Sequence, residues 1–341
     1  MKINYFVDKK SLDIYKSIQW GDRIIGYVKY RNVKHATPRH NKDGYYEALE
    51  YPFSSYLLAR NEELTYSEQF GTFLPQIKAA AVLEINRHDI LVERFQENSS
   101  PQFALIREMF QQFEKEVPGF AISKMGLDAS LQCGLETQVS DIDLVTNDGN
   151  LYKSLYAFVS KSADFEQFIH GLIERRGSYS TLLLTEELEF FERRKISFTF
   201  KGTKVSILYS DDSVVVPESL APTGRFLFLK SEFQQDVSVG EPSLLDLDNY
   251  TVLYGPDLEK RPLSYLSAIP VRTGFILNAG DVLLITGMVY RGLTTGKFYI
   301  CQFPWDYCQI FKTHNIALNT YLQVGNTDKR VMAKFFNNLR L

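Results

Sequence analysis

A chain of 341 residues, 45% hydrophobic and 23% charged, has room for two or three domains and builds an ordinary globular core without disulfides. Its net charge of -3, from 38 basic and 41 acidic residues, excludes a protein coated in positive charge for non-specific nucleic-acid binding, while a local basic groove remains open. Cys133, Cys301 and Cys308 lack zinc or redox spacing, and no stretch nears the roughly 18 apolar residues of a membrane span, so a cytoplasmic protein without membrane contact is expected.

The first residues, Met1 to Phe6, carry no long apolar run, and no signal peptide is expected there. Residues 1–97 read mostly as β structure. Ile24, Ile25, Tyr27, Val28 and Tyr30 follow Gly21-Asp22 as a strand, and the polar loop Val33 to Gly44 leads to a second strand at Tyr45-Tyr46. Lys34, His35, Arg39, His40 and Lys42 are expected at a solvated hairpin tip, with a phosphate or nucleic-acid contact as the sharper alternative. Residues 76–95 are apolar at a spacing that leaves helix and strand both open.

Asn98-Ser-Ser-Pro101 signals a boundary and caps a helix whose apolar face carries Phe103, Leu105, Ile106, Met109, Phe110 and Phe113 and which stops at Pro118-Gly119. Further helices are expected over 151–175, with His170 on the surface or in packing, and over about 185–194, with basic residues at the C-terminal end. Strands at Ile196–Phe200 and Lys204–Tyr209 are joined by Lys201-Gly202. Residues 219–315 return to β patterning, with strands at Tyr250–Tyr254, Gly274–Leu277, Val282–Tyr290 and Phe298–Phe303, and 316–341 read as a tail. Gly280-Asp281 with Gly287 and Tyr290 echoes Gly21-Asp22 with Gly26 and Tyr30. The aromatic content, 20 Tyr and 25 Phe, suits strand packing first and base stacking second.

Chemistry concentrates between Lys124 and Val145. Ser140-Asp141-Ile142-Asp143-Leu144-Val145 alternates polar and apolar residues, which in a strand puts both carboxylates on one face. Carboxylates so close repel unless a cation lies between them, and hard oxygen ligands suit Mg²⁺ or Mn²⁺ completed by waters and substrate phosphates. Upstream, Ala129-Ser130 opens a short helix ending near Gly134, where backbone N–H groups and the Ser130 hydroxyl can meet phosphate oxygens. Cys133 is expected as a small buried filler in that helix.

These residues resemble the polymerase-beta-like nucleotidyltransferase superfamily, whose signature is a Gly-Ser pair followed by an Asp-x-Asp strand. They are most similar to an uncharacterised family of predicted nucleotidyltransferases whose motif begins Gly-x-Thr-Gly-Ser and ends Ser-Asp-Ile-Asp-Leu-Val; Ser130, Gly134 and Ser140–Val145 match at unchanged spacing. Weaker likeness covers Glu192–Lys195, Phe200–Thr203 and Gly280…Gly287. Three positions depart from the pattern. Ala129 replaces the first Gly, Asp128 replaces a neutral residue, and Ser206 stands where a later strand often supplies a third carboxylate, with Asp211 and Asp212 just beyond as substitutes.

The resemblance implies an α+β fold: an N-terminal β-rich domain (1–97), a nucleotidyltransferase core (98–218), a C-terminal β-rich domain (219–315) and a tail (316–341), the β-rich regions forming small barrels. It implies transfer of a nucleoside monophosphate from an NTP to an acceptor hydroxyl, RNA or DNA ahead of a protein or small molecule. Asp141 and Asp143 would hold Mg²⁺ or Mn²⁺, joined by Asp211 or Asp212. Ala129, Ser130 and Ser140 would line the nucleotide site, and Arg193, Arg194 and Lys195 would contact phosphates or the acceptor unless they only match a helix dipole. The alternatives are a degenerate nucleotide- or nucleic-acid-binding module and an antitoxin-like protein bound to a protein partner.

Overall fold

In the computed structural model the described residues are 3–20, 22–49, 64–67, 72–97, 100–159, 161, 196–210, 218–232, 237–238, 243–247, 249–255, 257–258, 261–267, 276–277, 282–302, 307–313 and 316–323. Within them the chain is mostly β, in three larger sheets and one two-stranded pair. This overturns the expected α+β class with a nucleotidyltransferase core. The helices at 101–116 and 149–159 dominated the sequence pattern of the middle region, but they are outweighed by long strands on both sides. The helix read over 185–194 and the second half of 151–175, including His170, lie outside the described residues. The barrels are corrected too: among the described residues the flanking strands form open sheets, not closed rings.

The first sheet is antiparallel. Its path runs β4(Arg39–Asn41), β5(Gly44–Ala48), β3(Arg23–Val33), β2(Ile14–Trp20), β1(Ile3–Asp8) and β8(Val82–Ile85), with β7(Thr72–Lys78) also on β3 and β6(Leu64–Ser67) on β7. The stretch 76–95, open in sequence, divides at Asn86: strands precede it, and α1(Arg87–Glu97) follows. Leu91 of α1 packs into the core of the central sheet.

The central sheet has four strands in the order β11(Ile196–Phe200), β12(Thr203–Tyr209), β10(Ile142–Thr146) and β9(Met125–Leu127), with β10 and β12 parallel and the other pairs antiparallel. Alternation splits it cleanly. Leu127, Ile142, Leu144, Val205, Ile207, Ile196 and Phe198 face a core shared with α2(Pro101–Glu116) and α4(Gly149–Val159). The N-terminus of α2 follows its sequence signals: the Ser100 hydroxyl accepts from the Phe103 N–H at 3.4 Å, and Pro101 occupies the first turn, where its missing N–H costs nothing. The opposite sheet face carries Gly126, Asp141, Asp143, Lys204 and Ser206.

The third sheet runs β15(Ser243–Asp246), β17(Leu263–Ser267), β20(Phe298–Gln302), β19(Val282–Gly292), β13(Leu220–Glu232) and β16(Asn249–Tyr254), with β21(Tyr307–Thr313) on β19 and β22(Ile316–Gln323) on β21. Three of these strands, β16, β19 and β20, match those read from the sequence within a few residues, and the other expected strand (274–277) appears as β18(Ile276–Leu277) paired with β14(Val237–Ser238) in the separate two-stranded pair. The segment read as a tail opens with β22. The echo between the two ends is partly visible: Gly26 and Gly287 both sit where a Cβ would meet the neighbouring strand's backbone oxygen, at 2.3 and 2.5 Å. Gly21, Gly280 and Asp281 lie outside the described residues.

Candidate active site

The register of the central sheet assembles the acidic cluster. Asp143 on β10 is paired with Ser206 on β12, which is paired with Ser197 on β11. At the other edge, Leu127 pairs with Leu144, and the Asp128 N–H donates to the Asp143 carbonyl at 2.9 Å. Asp128, Asp143, Ser206 and Ser197 therefore form one row across the same face, and Asp141, just before β10, lies two residues along the chain from Asp143. Ser206 does occupy the strand position beside Asp143, so β12 brings a hydroxyl there and no carboxylate. Asp211 and Asp212 lie outside the described residues, as do Arg193, Arg194 and Lys195.

Like charges opposite one another on a sheet destabilise it unless neutralised. Two lysines do this. Lys204 Nζ lies 3.0 Å from Asp141 Oδ2, and Lys16 Nζ, from β2 of the first sheet, lies 3.3 Å from Asp128 Oδ2. Asp128, the residue that departs from the family pattern, is thus buried and held by a cation from the N-terminal region. Asp143 feels the crowding most. Burial first, then the Asp128 carboxylate, raise it from its ordinary 3.8 to about 6, against the opposing pull of Lys204 and Lys16. Tyr30, buried near the same carboxylates, is pushed well up, chiefly by burial.

The phosphate-loop candidate α3(Ala129–Cys133) is a single short turn. Five residues carry little macrodipole, so its start offers less to an anion than a full helix would. Ala129 holds φ at +50°, in the left-handed region that glycine adopts without strain. That geometry gives a physical reason for a glycine at this position, and this chain bears the strain of an alanine. Gly134 closes the turn in the left-handed conformation with φ 67°, and the Leu135 N–H returns to the Ser130 carbonyl at 2.8 Å. Ser130 is buried. The Ser140 hydroxyl accepts from the Thr137 N–H at 2.8 Å and so shapes the loop before Asp141, while Val139 between them is 89% exposed.

The first sheet and α1 clamp this segment from several sides. Arg39 donates to the Leu135 carbonyl at 2.8 Å and Asn41 to the Cys133 carbonyl at 3.2 Å. Arg94 bonds the Leu131 carbonyl and pairs with Glu136 through both nitrogens, its guanidinium 4.8 Å from the Phe103 ring centre. Gln132 donates to Asn4 and to the Ile85 carbonyl. Cys133 and Leu135 fill a cluster with Tyr5, Ile14, Tyr30 and Tyr46, and burial pushes the Cys133 thiol well up, as fits an inert filler. The hairpin expected at a solvated tip divides its roles. His35 pairs with Glu47 near solvent, His40 packs edge-on against Tyr45, and Arg39 reaches inward to the motif.

Sequence reasoning did not find Lys16, Lys204 or Arg94, and it placed Arg39 at a solvated tip and not against the motif. Lys204 had a usable signal: aligning Ser206 with Asp143 places the residue two earlier beside Asp141. The contacts of Lys16 and Arg39 with the motif had none, since they arise through packing of a distant sheet.

As a metal site, the donor set fits a hard cation. Asp141 and Asp143 offer carboxylate oxygens on one face, in keeping with Mg²⁺, which binds through one or two carboxylates and leaves the rest to water and phosphate. Among the described residues no three acidic, imidazole or thiol side chains converge on one point. Also among them, no helix is long and apolar enough to cross a membrane. No family model, curated protein or solved structure matches the chain.

Proposed function

We propose that the chain transfers a nucleoside monophosphate from an NTP to an acceptor hydroxyl, releasing pyrophosphate, with Mg²⁺ or Mn²⁺ at Asp141 and Asp143. One observation carries the reading: Asp141 and Asp143 stand on one sheet face with the buried Asp128 carboxylate beside Asp143, a concentration of negative charge that a divalent cation would neutralise. The reading rests on this motif and its register, not on a fold class. The resemblance of Ser130, Gly134 and Ser140–Val145 to polymerase-beta-like nucleotidyltransferases supports it.

A bound divalent cation would supply charge neutralisation on the transferring phosphoryl group and activation of the acceptor hydroxyl. Asp141 and Asp143 would hold it, and Asp143, raised to about 6, gains most from a cation that keeps it ionised. Lys204, released from Asp141 by that exchange, would stay close enough to steady phosphate oxygens. Ser130 and the turn from Ala129 would contact the triphosphate. Nucleic acid is the acceptor class put first, and a cytoplasmic setting suits a reaction that draws on NTP and Mg²⁺.

A second reading has an observation of its own. Lys16 and Lys204 already balance two carboxylates, so the site is electrostatically settled without a metal, as suits a nucleotide- or nucleic-acid-binding module that does not transfer. Incubation with α-labelled NTPs, Mg²⁺ and mixed RNA, DNA and protein acceptors separates the two. The transfer reading expects label that nuclease removes and protease does not. Label removed only by protease would replace the acceptor class, and no label above that of Asp141→Ala/Asp143→Ala would leave the binding reading.

A further inference from the structure

At the junction of β8 and α1, Asn86 caps the helix, its Oδ1 accepting from the N–H groups of His88 at 3.0 Å and Asp89 at 3.4 Å. The first helical residue, Arg87, is 3% exposed, and its Nε has no hydrogen-bond partner. Among the described residues no acidic side chain pairs with it. A guanidinium does not shed its proton, so an enclosed Nε–H with no acceptor is a costly group for a fold to hold without an anion. Beside it, the His88 Nδ1 donates to the Met125 carbonyl at 2.8 Å, which leaves Nε2 buried and also without a partner.

The place of this pair is fixed by a glycine. A Cβ on Gly126 would meet Arg87 Cγ at 3.1 Å, Val145 Cγ1 at 3.1 Å and His88 Nδ1 at 3.2 Å. Gly126 is paired with Val145, so it points to the same sheet face as Asp128 and Asp143, two residues along the strands from the acidic row. The Arg87 stem therefore lies on the carboxylate face, about 7 Å along the strand from the acidic row. A side chain at 126 would push it away.

We propose that Arg87, with His88 beside it, binds the phosphate chain of the nucleotide, making the start of α1 and the acidic row two parts of one site. A phosphate oxygen accepts from the Arg87 Nε–H, and a phosphate hydroxyl or a water of its hydration shell donates to His88 Nε2. The planar guanidinium suits phosphate oxygens in a way that an ammonium group does not. The inference rests on the nucleotide reading of the site, but its test needs neither metal nor transfer.

The test is calorimetric titration of the full chain with inorganic pyrophosphate in EDTA, together with urea unfolding without ligand, for wild type, Arg87→Met, Arg87→Lys and Asp141→Ala/Asp143→Ala. Wild type is expected to bind saturably. Arg87→Met, which fills the space without the charge, should bind about 10- to 100-fold more weakly while unfolding at the same or a higher urea midpoint, because it removes an unpaired buried charge. Arg87→Lys, which keeps the charge but loses the fork, should fall between the two. Asp141→Ala/Asp143→Ala, tested without metal, should still bind pyrophosphate; wild type that binds pyrophosphate through Arg87 but transfers nothing would sink the enzyme reading and spare this one. The proposal is overturned if wild type does not bind, if Arg87→Met binds like wild type, or if Arg87→Met unfolds at a markedly lower midpoint, which would show the guanidinium paired within the chain.

Discussion

Replacing Asp143 by Asn removes a charge that the ligand-free fold resists. Burial, and then the facing Asp128 carboxylate, hold Asp143 at about 6 instead of 3.8, so the folded state grips the proton harder than the unfolded state does. The sign follows from linkage. Below about pH 4 the carboxyl is protonated in both states and costs nothing; the cost grows as pH rises and is complete above about 6. A shift of about two units corresponds to about 3 kcal/mol, and solvent reaching the half-buried residue brings the expectation to about 1–3 kcal/mol. In EDTA at pH 8, Asp143→Asn should therefore be more stable than wild type by that amount, with the gap closing towards pH 4. Urea unfolding followed by circular dichroism from pH 4 to 8 reads both. Added Mg²⁺ should narrow the gap at pH 8 by stabilising wild type alone. An Asn variant equal to or weaker than wild type at pH 8 in EDTA would refute the electrostatic account of the row.

Three further outcomes follow from the same geometry. Ala129→Gly should stabilise the chain by about 0.5–1 kcal/mol, since relief of a left-handed alanine (about 1–2 kcal/mol) exceeds the extra entropy of glycine (about 0.5–1 kcal/mol); a loss in urea unfolding would contradict the +50° φ. Lys204→Met takes away a cation that holds Asp143 down, so its carboxyl should titrate above about 6 in carbon-detected NMR, and an unchanged or lower midpoint would exclude the contact. Glu218, just before β13, is bound to the β19–β20 hairpin: burial works to raise its carboxyl, but bonds from Thr295, Thr294 and Tyr299 outweigh it and hold it at about 2, below its ordinary 4.5. That stabilisation is present above about pH 4.5 and lost as pH falls towards 2, so amide exchange corrected for intrinsic rate should speed up in residues 292–297 across this window.

The parts of the fold legible in sequence are those governed by local pattern. The Ser100-Pro101 start and the Phe103, Ile106, Met109, Phe110 and Phe113 stripe mark α2, and the Lys201-Gly202 turn marks the β11–β12 hairpin, both residues having positive φ. The alternation in Ser140–Val145 put Asp141 and Asp143 on one face, with Ser206 beside Asp143. The fold class was not legible, because long helices give strong periodic signals while strands such as β13 and β22 show only short, interrupted runs. Nor was the setting of Asp128. Its neutralisation by Lys16 spans more than a hundred residues of sequence and depends on how the first sheet packs, which no local spacing encodes. The strain at Ala129 was visible only as a missing glycine until its φ gave the reason.

The central claim is that Asp141 and Asp143 hold a divalent cation that drives nucleotidyl transfer. It is tested most directly by pyrophosphate release from each of the four NTPs, with and without Mg²⁺ or Mn²⁺, for wild type, Asp141→Ala and Asp143→Ala in the presence of RNA. The account predicts release that requires the metal, is abolished by EDTA and falls at least about 100-fold in either variant. Release by the variants at the wild-type rate, or none from wild type with any NTP and either metal, would contradict it.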